Sequence, residues 1–222
     1  MSDLKETAKS IFRDTLAAID IPATMARKLA RQGSQIRCAG QQFDLKAFDK
    51  LVVISVGKAA YATARGLLDA LAPDFTASGI LSAPTRPPVD FPGFQTFLSG
   101  HPVPNQESLA AGRAALELVR GCDERSLIFF LLSGGGSALL EAPLYGDVTL
   151  EDLQALNRVL VTCGAPIDDI NAVRKHLSAI KGGRLAAAAP AATKLTFGVS
   201  DVPEGRETAL ASGPTLPDPT TC

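Results

Sequence analysis

Three features of this chain are suited to holding and moving a charged group: a run of glycines, a series of basic and amide side chains, and an aspartate behind an apolar segment. The glycine run carries most. Phe129-Phe130-Leu131-Leu132 leads directly into Ser133-Gly134-Gly135-Gly136-Ser137, followed by Ala138-Leu139-Leu140-Glu141. An uninterrupted apolar segment ended by glycines reads as a fully buried strand entering a tight loop, and the residues behind it can open a helix. Strand, glycine loop and helix N-terminus aim backbone N–H groups at a phosphate or carboxylate, with the helix dipole favouring the anion. A tight turn without a ligand is the competing reading, against which stands the conformational entropy three glycines lose on folding. The common motifs do not match. No lysine follows the glycines as in a P-loop, and Leu139 breaks both the dinucleotide pattern and the nucleophile elbow.

Lys58, in Val56-Gly57-Lys58-Ala59-Ala60, follows a strand and a glycine, which puts it at the carboxyl edge of a sheet, where open parallel sheets bind ligands. A solvated first-turn lysine is the plainer alternative, but a lysine is unfavourable beside the positive end of a helix unless an anion joins it. Asn171, Arg174, Lys175, Ser178 and Lys181 recur at helical spacing, apart from an apolar face of Ile170, Val173, Leu177 and Ile180, with Gly182 and Gly183 ending or bending the segment. Such a stripe in a cleft would neutralise phosphates; elsewhere it is the wet side of an amphipathic helix. Asp201, after Gly198-Val199-Ser200, can bind Mg²⁺ or act as a base toward a hydroxyl, or else cap the turn at Pro203. Ala211-Ser212-Gly213-Pro214-Thr215 is a second small-residue loop, and the two histidines, His101 and His176, read as structural. Together these are the parts of a phosphoryl-transfer site: charge neutralisation, a metal and an oriented hydroxyl.

The elements that must position these groups alternate. Helices are expected over 3–18, from Pro22 to Arg31, over 58–71, 105–119, 150–161 and 167–180, and at 186–189; strands over 51–56, 79–81, 94–98, through Phe129 and over 194–199. The class is α/β, a Rossmann-like three-layer α/β/α domain with a mostly parallel sheet covered on both faces. The proline-rich end, 213–222, reads as a loop whose Thr220 or Thr221 would cap a following helix, so the chain is expected to stop at a domain junction.

Composition narrows the function. The 222 residues are 46% hydrophobic and 20% charged with a net charge of −1, which excludes an extended nucleic-acid surface, and 5% aromatic content without tryptophan excludes stacking platforms. No stretch approaches the roughly 20 apolar residues of a membrane span, the N-terminus lacks a signal peptide's pattern, and Cys38, Cys122, Cys163 and Cys222 are scattered without a Cys-x-x-Cys pair. A reduced, cytoplasmic location is the expectation, with no nucleic-acid or membrane partner and a homodimer left open.

Val56-Gly57-Lys58-Ala59, Gly100-His101-Pro102-Val103-Pro104, Ser133-Gly134-Gly135-Gly136-Ser137-Ala138-Leu139, Asn171-x-x-Arg174-Lys175-His176-Leu177-Ser178-x-x-Lys181-Gly182-Gly183, Ser200-Asp201-Val202 and Ala211-Ser212-Gly213-Pro214-Thr215 occur in this order. In this the chain resembles the N-terminal domain of the class II glycerate kinases, from about Ile11 to its end. The resemblance implies transfer of phosphate from ATP, with Mg²⁺, to D-glycerate, giving 2-phosphoglycerate in a cleft between this domain and a C-terminal one that this chain does not contain. It implies that Lys58 is the catalytic lysine and Asp201 the active-site aspartate and metal ligand. It further implies that the Ser133–Ser137 loop, with Lys181, Gly182 and Gly183, contacts phosphate or nucleotide, and that Asn171, Arg174, Lys175, Ser178, Ser212 and Gly213 line the cleft. Many members continue the aspartate motif as Ser-Asp-Val-x-Gly-Asp; here it reads Ser200-Asp201-Val202-Pro203-Glu204-Gly205-Arg206-Glu207, leaving Glu204 or Glu207 as the second acid. The isolated chain is expected to have little or no kinase activity. Some family members carry the name hydroxypyruvate reductase; that activity, dependent on NAD(P)H, and a non-catalytic ligand-binding domain are the alternatives. A reductase should carry a dinucleotide fingerprint, and none is evident.

Overall fold

The computed structural model describes residues 2–200 and 202–220. In chain order the elements are α1 (Ser2–Ala18), α2 (Ile21–Leu29), β1 (Arg31–Gln32), β2 (Gln35–Cys38), β3 (Gln41–Asp44), β4 (Lys50–Val56), α3 (Ala60–Leu71), β5 (Ser78–Ala83), β6 (Phe94–Leu98), α4 (Gln106–Arg120), β7 (Ser126–Ser133), α5 (Gly136–Leu139), α6 (Leu150–Thr162), α7 (Ile167–His176), α8 (Arg184–Ala187) and β8 (Thr193–Val199).

Strands β4 to β8 form one five-stranded sheet in the order β6-β5-β4-β7-β8, every pair parallel. The near-continuous apolar runs of β4 and β7 follow from burial on both faces. Val52, Ile54 and Val56 of β4 and Ile128, Phe130 and Leu132 of β7 point to the face covered by α4, α5 and α8. Leu51, Val53, Leu127, Phe129 and Leu131 point to the other, against α2 and α3. The three layers and the parallel sheet match the expectation. From β4 the chain steps outward to β5 and β6, then returns across β4 to β7 and β8. The order therefore reverses between β4 and β7, the position at which doubly wound sheets open a crevice at the strands' carboxyl ends.

Local sequence explains the element starts. Asp20 accepts the Ala23 amide at 2.8 Å and Pro22 occupies the first turn of α2. Asn105 and Ser108 form a reciprocal capping box at the start of α4, as Thr149 and Asp152 do for α6.

One stretch carried no expectation and one expectation needs correction. The first is residues 31–44, a three-stranded antiparallel meander of β1, β2 and β3 that the sequence did not announce. Its strands are two to four residues long and rich in glutamine, so they carry little alternation. Its second turn is Ala39-Gly40, both at positive φ as a two-residue hairpin turn requires. Arg31 fastens the meander to the end of α3 by donating to the carbonyls of Ala70, Leu71 and Ala72 at 3.1, 2.8 and 2.9 Å.

The second is the helix expected over 167–180, which ends at His176. The next residues pair with the segment after α5: the Ala179 amide donates to the Ala142 carbonyl at 2.8 Å and the Leu144 amide to the Leu177 carbonyl at 2.9 Å. The Ser178 hydroxyl takes the amides of Ile180 and Lys181, drawing the backbone out of the helix. Asn171, Arg174 and Lys175 stay on α7, whereas Ser178 and Lys181 lie beyond it, so the five do not share one helix face.

Candidate active site

The carboxyl ends of β4 and β7, adjacent strands at the point of reversal, are tied together directly. The Lys58 amide donates to the Gly134 carbonyl at 3.0 Å, and the Ala59 amide donates to the Ser133 hydroxyl at 3.0 Å. Ser133 in turn donates to the Val56 carbonyl at 3.2 Å, so its hydroxyl joins the two loops. Gly57 allows this closeness. Its φ is +120°, and a Cβ there would overlap the Ser133 hydroxyl. The Lys58 side chain stands in solvent above this junction.

Gly135 has φ +89°, and a Cβ on it would come within 2.8 Å of the His101 ring. The proline-rich turn His101-Pro102-Val103-Pro104 thus packs onto the glycine loop. Partial desolvation where its ring packs on the glycine loop, and the nearby Lys58 charge, hold the His101 imidazole below its ordinary 6.5. Among the described residues, the amides of Gly134, Gly135 and Ser137 donate to no protein acceptor, as the residues that open a helix commonly do not.

Two cavities flank this loop and share Gly135 and Ser137. The larger, about 670 Å³, is walled by the His101 turn and by apolar side chains of α6 such as Leu153, Leu156 and Val159, with Asn157, Arg158, Thr162, Arg174 and Glu141 among its polar groups. The smaller, about 260 Å³, is bounded by Asn171, Asp168, Arg206, Val202 and Ser212. Arg174 donates to the Asn157 side chain. Burial lowers its guanidinium from the usual range, against the pull of Glu141.

Other expected residues lie behind these walls. Lys175 is 4% exposed and pairs with Asp218 at 3.1 Å. Burial pushes the Asp218 carboxyl up, but the Thr220 hydrogen bonds and Lys175 together hold it below the usual carboxylate range. Lys181 is 1% exposed and pairs with Glu141, which also accepts the Ser178 hydroxyl at 2.6 Å. Burial lowers the Lys181 ammonium, partly offset by that carboxylate. The amides of Gly182 and Gly183 donate to the carbonyls of Ser212 and Gly213 at 3.1 and 2.7 Å, so these donors are committed within the protein. The Ser212 hydroxyl meets that of Ser137 at 2.9 Å and brings the second small-residue loop against the first. Thus Gly135 and Ser137 line both cavities, Arg174 the larger, and Gly134, Asn171 and Ser212 the smaller. Lys58 lines neither and stands exposed beside the loop, its charge near His101, whereas Lys175, Ser178, Lys181, Gly182 and Gly183 lie behind these walls. Asp201 lies outside the described residues.

Glu141, Asn157, Asp168 and Arg206 were not singled out from sequence. For Glu141 a signal existed: a lone acid inside Ala138-Leu139-Leu140-Glu141-Ala142-Pro143, where a charge must find a partner to be buried. No group of three His, Cys, Asp or Glu side chains is gathered for a metal among the described residues. No helix there is long and apolar enough to cross a membrane.

Known proteins share this fold. A family model described as a domain of unknown function, DUF4147, matches residues 7–222. A protein of Agrobacterium vitis with a provisional hydroxypyruvate reductase name is 43% identical over 78% of this chain and 39% of its own length. A D-glycerate 2-kinase of Thermotoga maritima is 39% identical over 78% of this chain and 41% of its own length. The crystal structure of a glycerate kinase from Thermotoga maritima superposes with a TM-score of 0.80 at 33% identity, covering all of this chain and 50% of that one. The chain spans half or less of the length of these relatives. It belongs to the DUF4147 family, the N-terminal region of the class II glycerate kinases.

Proposed function

We propose that this chain is the first domain of an ATP-dependent D-glycerate 2-kinase, a second domain closing over the crevice to complete it. The observation that carries the reading is the junction at the sheet's point of reversal, where the Lys58 amide bonds Gly134 at 3.0 Å beneath an exposed lysine and a row of open amides. Phosphoryl transfer asks little covalent chemistry of a protein; it asks for positioning and for opposite charge where negative charge accumulates.

The amides of residues 134–137 bind phosphate oxygens, and the Lys58 ammonium neutralises the transferring group. Arg174 and Asn171, on neighbouring turns of α7, orient the nucleotide or the acceptor acid from the side. Asp201 takes the proton from the acceptor hydroxyl as that oxygen bonds the γ-phosphorus and the bridging bond to ADP breaks, ADP being the leaving group. Mg²⁺, when bound with ATP, shields the phosphate charge. Such an ion needs one or two protein carboxylates beside the nucleotide's own oxygens, so a rim with few acids suits it. Asp201 would hold it, with Glu204, which is exposed, or Glu207, one oxygen of which already accepts the Gly205 amide at 2.9 Å.

The test is product identity. The intact protein carrying this region, given ATP, Mg²⁺ and D-glycerate, should yield 2-phosphoglycerate by phosphorus NMR, while the 222-residue chain alone turns over slowly. NADH-dependent reduction of hydroxypyruvate without phosphate transfer would overturn the proposal.

A further inference from the structure

Lys181 and Glu141 are opposite charges buried side by side, 1% and 8% exposed, Glu141 in the wall of the larger cavity and Lys181 behind it. Burying such a pair costs desolvation that its attraction barely returns, and apolar residues of the same volume often serve stability as well or better. The pair's neighbours give it another task. Glu141 also accepts the Ser178 hydroxyl at 2.6 Å and the Ala142 amide at 3.0 Å, while Ser178 accepts the Ile180 and Lys181 amides at 3.2 and 3.4 Å. The residues immediately following, Gly182 and Gly183, donate to the carbonyls of Ser212 and Gly213. Ser212 sits with Ala211 at positive φ, +59° and +51°, a conformation costly for non-glycine residues that persists only where the surroundings impose it. From there its hydroxyl meets Ser137, 2.9 Å away on the glycine loop.

We propose that Lys181 is a positioning residue. Clamped on Glu141, it anchors the 182–183 turn, which holds Ser212 in its strained backbone and thereby fixes Ser137 at the mouth of the glycine loop. Its ammonium also offsets the charge of the Glu141 carboxylate, which lines the larger cavity. The consequence for turnover rests on the phosphoryl-transfer reading; the clamp itself does not.

Hydrogen exchange on the 222-residue chain reads the clamp alone. In the parent chain the Gly182 and Gly183 amides should exchange as slowly as amides of β7; exchange at open-loop rates would overturn the clamp. Lys181→Met should speed exchange at these two amides by about tenfold or more while β7 stays protected. Glu141→Gln/Lys181→Met, which leaves no bare charge to unfold the domain, should do the same, and Lys181→Arg should restore slow exchange. Unchanged exchange in both Met variants would refute the idea.

In the intact kinase, Lys181→Met should cut kcat about tenfold or more with KM for ATP changed by less than about threefold, and Lys181→Arg should recover most of the loss. A large rise in KM at unchanged kcat would instead make Lys181 a ligand of the nucleotide. Failure of the kinase reading would appear separately, as absence of phosphate transfer by the parent protein.

Discussion

Lys58 and the residues beneath it divide the work between charge and placement. The lysine side chain is exposed and its stability role slight, so Lys58→Ala should leave the denaturation midpoint nearly unmoved, within about 0.5 kcal/mol. In the intact protein the same change should lower the kcat of the proposed phosphoryl transfer by about a hundredfold or more, the scale of losing one pre-organised charge partner. Gly57 is the reverse case. Gly57→Ala places a Cβ on the Ser133 hydroxyl at a φ that favours glycine, and should cost about 3 kcal/mol in urea unfolding. His101 reports on both. Its imidazole lies below 6.5 because of partial desolvation first and Lys58 second, so an NMR titration of Lys58→Met should show its midpoint rising yet staying under 6.5. Because the unfolded chain binds that proton more readily, His101 costs no stability above 6.5. Stability should fall as pH drops from 6.5 through the folded value, and His101→Gln should lessen that slope.

At the scale of elements, α4 and α6 begin where side chains satisfy their first amides, and Asn105→Ala should cost about 1 kcal/mol by thermal melting. Elements with strong periodicity or unbroken apolar runs were legible in the sequence: β4, β7, α3, α4 and α6 fall where expected. The glycine loop and Lys58 were legible too, because glycine and lysine at a strand's end have a direct physical meaning. Residues 31–44 were not legible, their strands being too short and polar to alternate. Nor was the end of α7 at His176, because the competition comes from residues 142–144, distant in sequence, and from a serine that prefers a local bond to the helix. The same event explains why Lys181, in register with Arg174 on paper, turns inward to Glu141. Helical spacing predicts a shared face only while the helix continues.

Across the whole molecule, the parallel sheet converts distance in sequence into adjacency. Lys58 and Gly134 are brought together because β4 and β7 are neighbours at the reversal of strand order. The chain spans half or less of the length of its relatives. Lys175 and Asp218 fasten the last described segment to α7 from behind. Asp218→Asn should loosen that segment and lower stability by about 3 kcal/mol, since it leaves a buried ammonium unpaired. The central claim is that phosphate is received at the meeting of β4 and β7. It is tested most directly by following backbone amide resonances of the 222-residue chain as MgATP is added. The account predicts shifts concentrated at Ala59 and residues 134–137, weakened by Lys58→Ala. Shifts confined to other surfaces, or none at millimolar nucleotide, would contradict it.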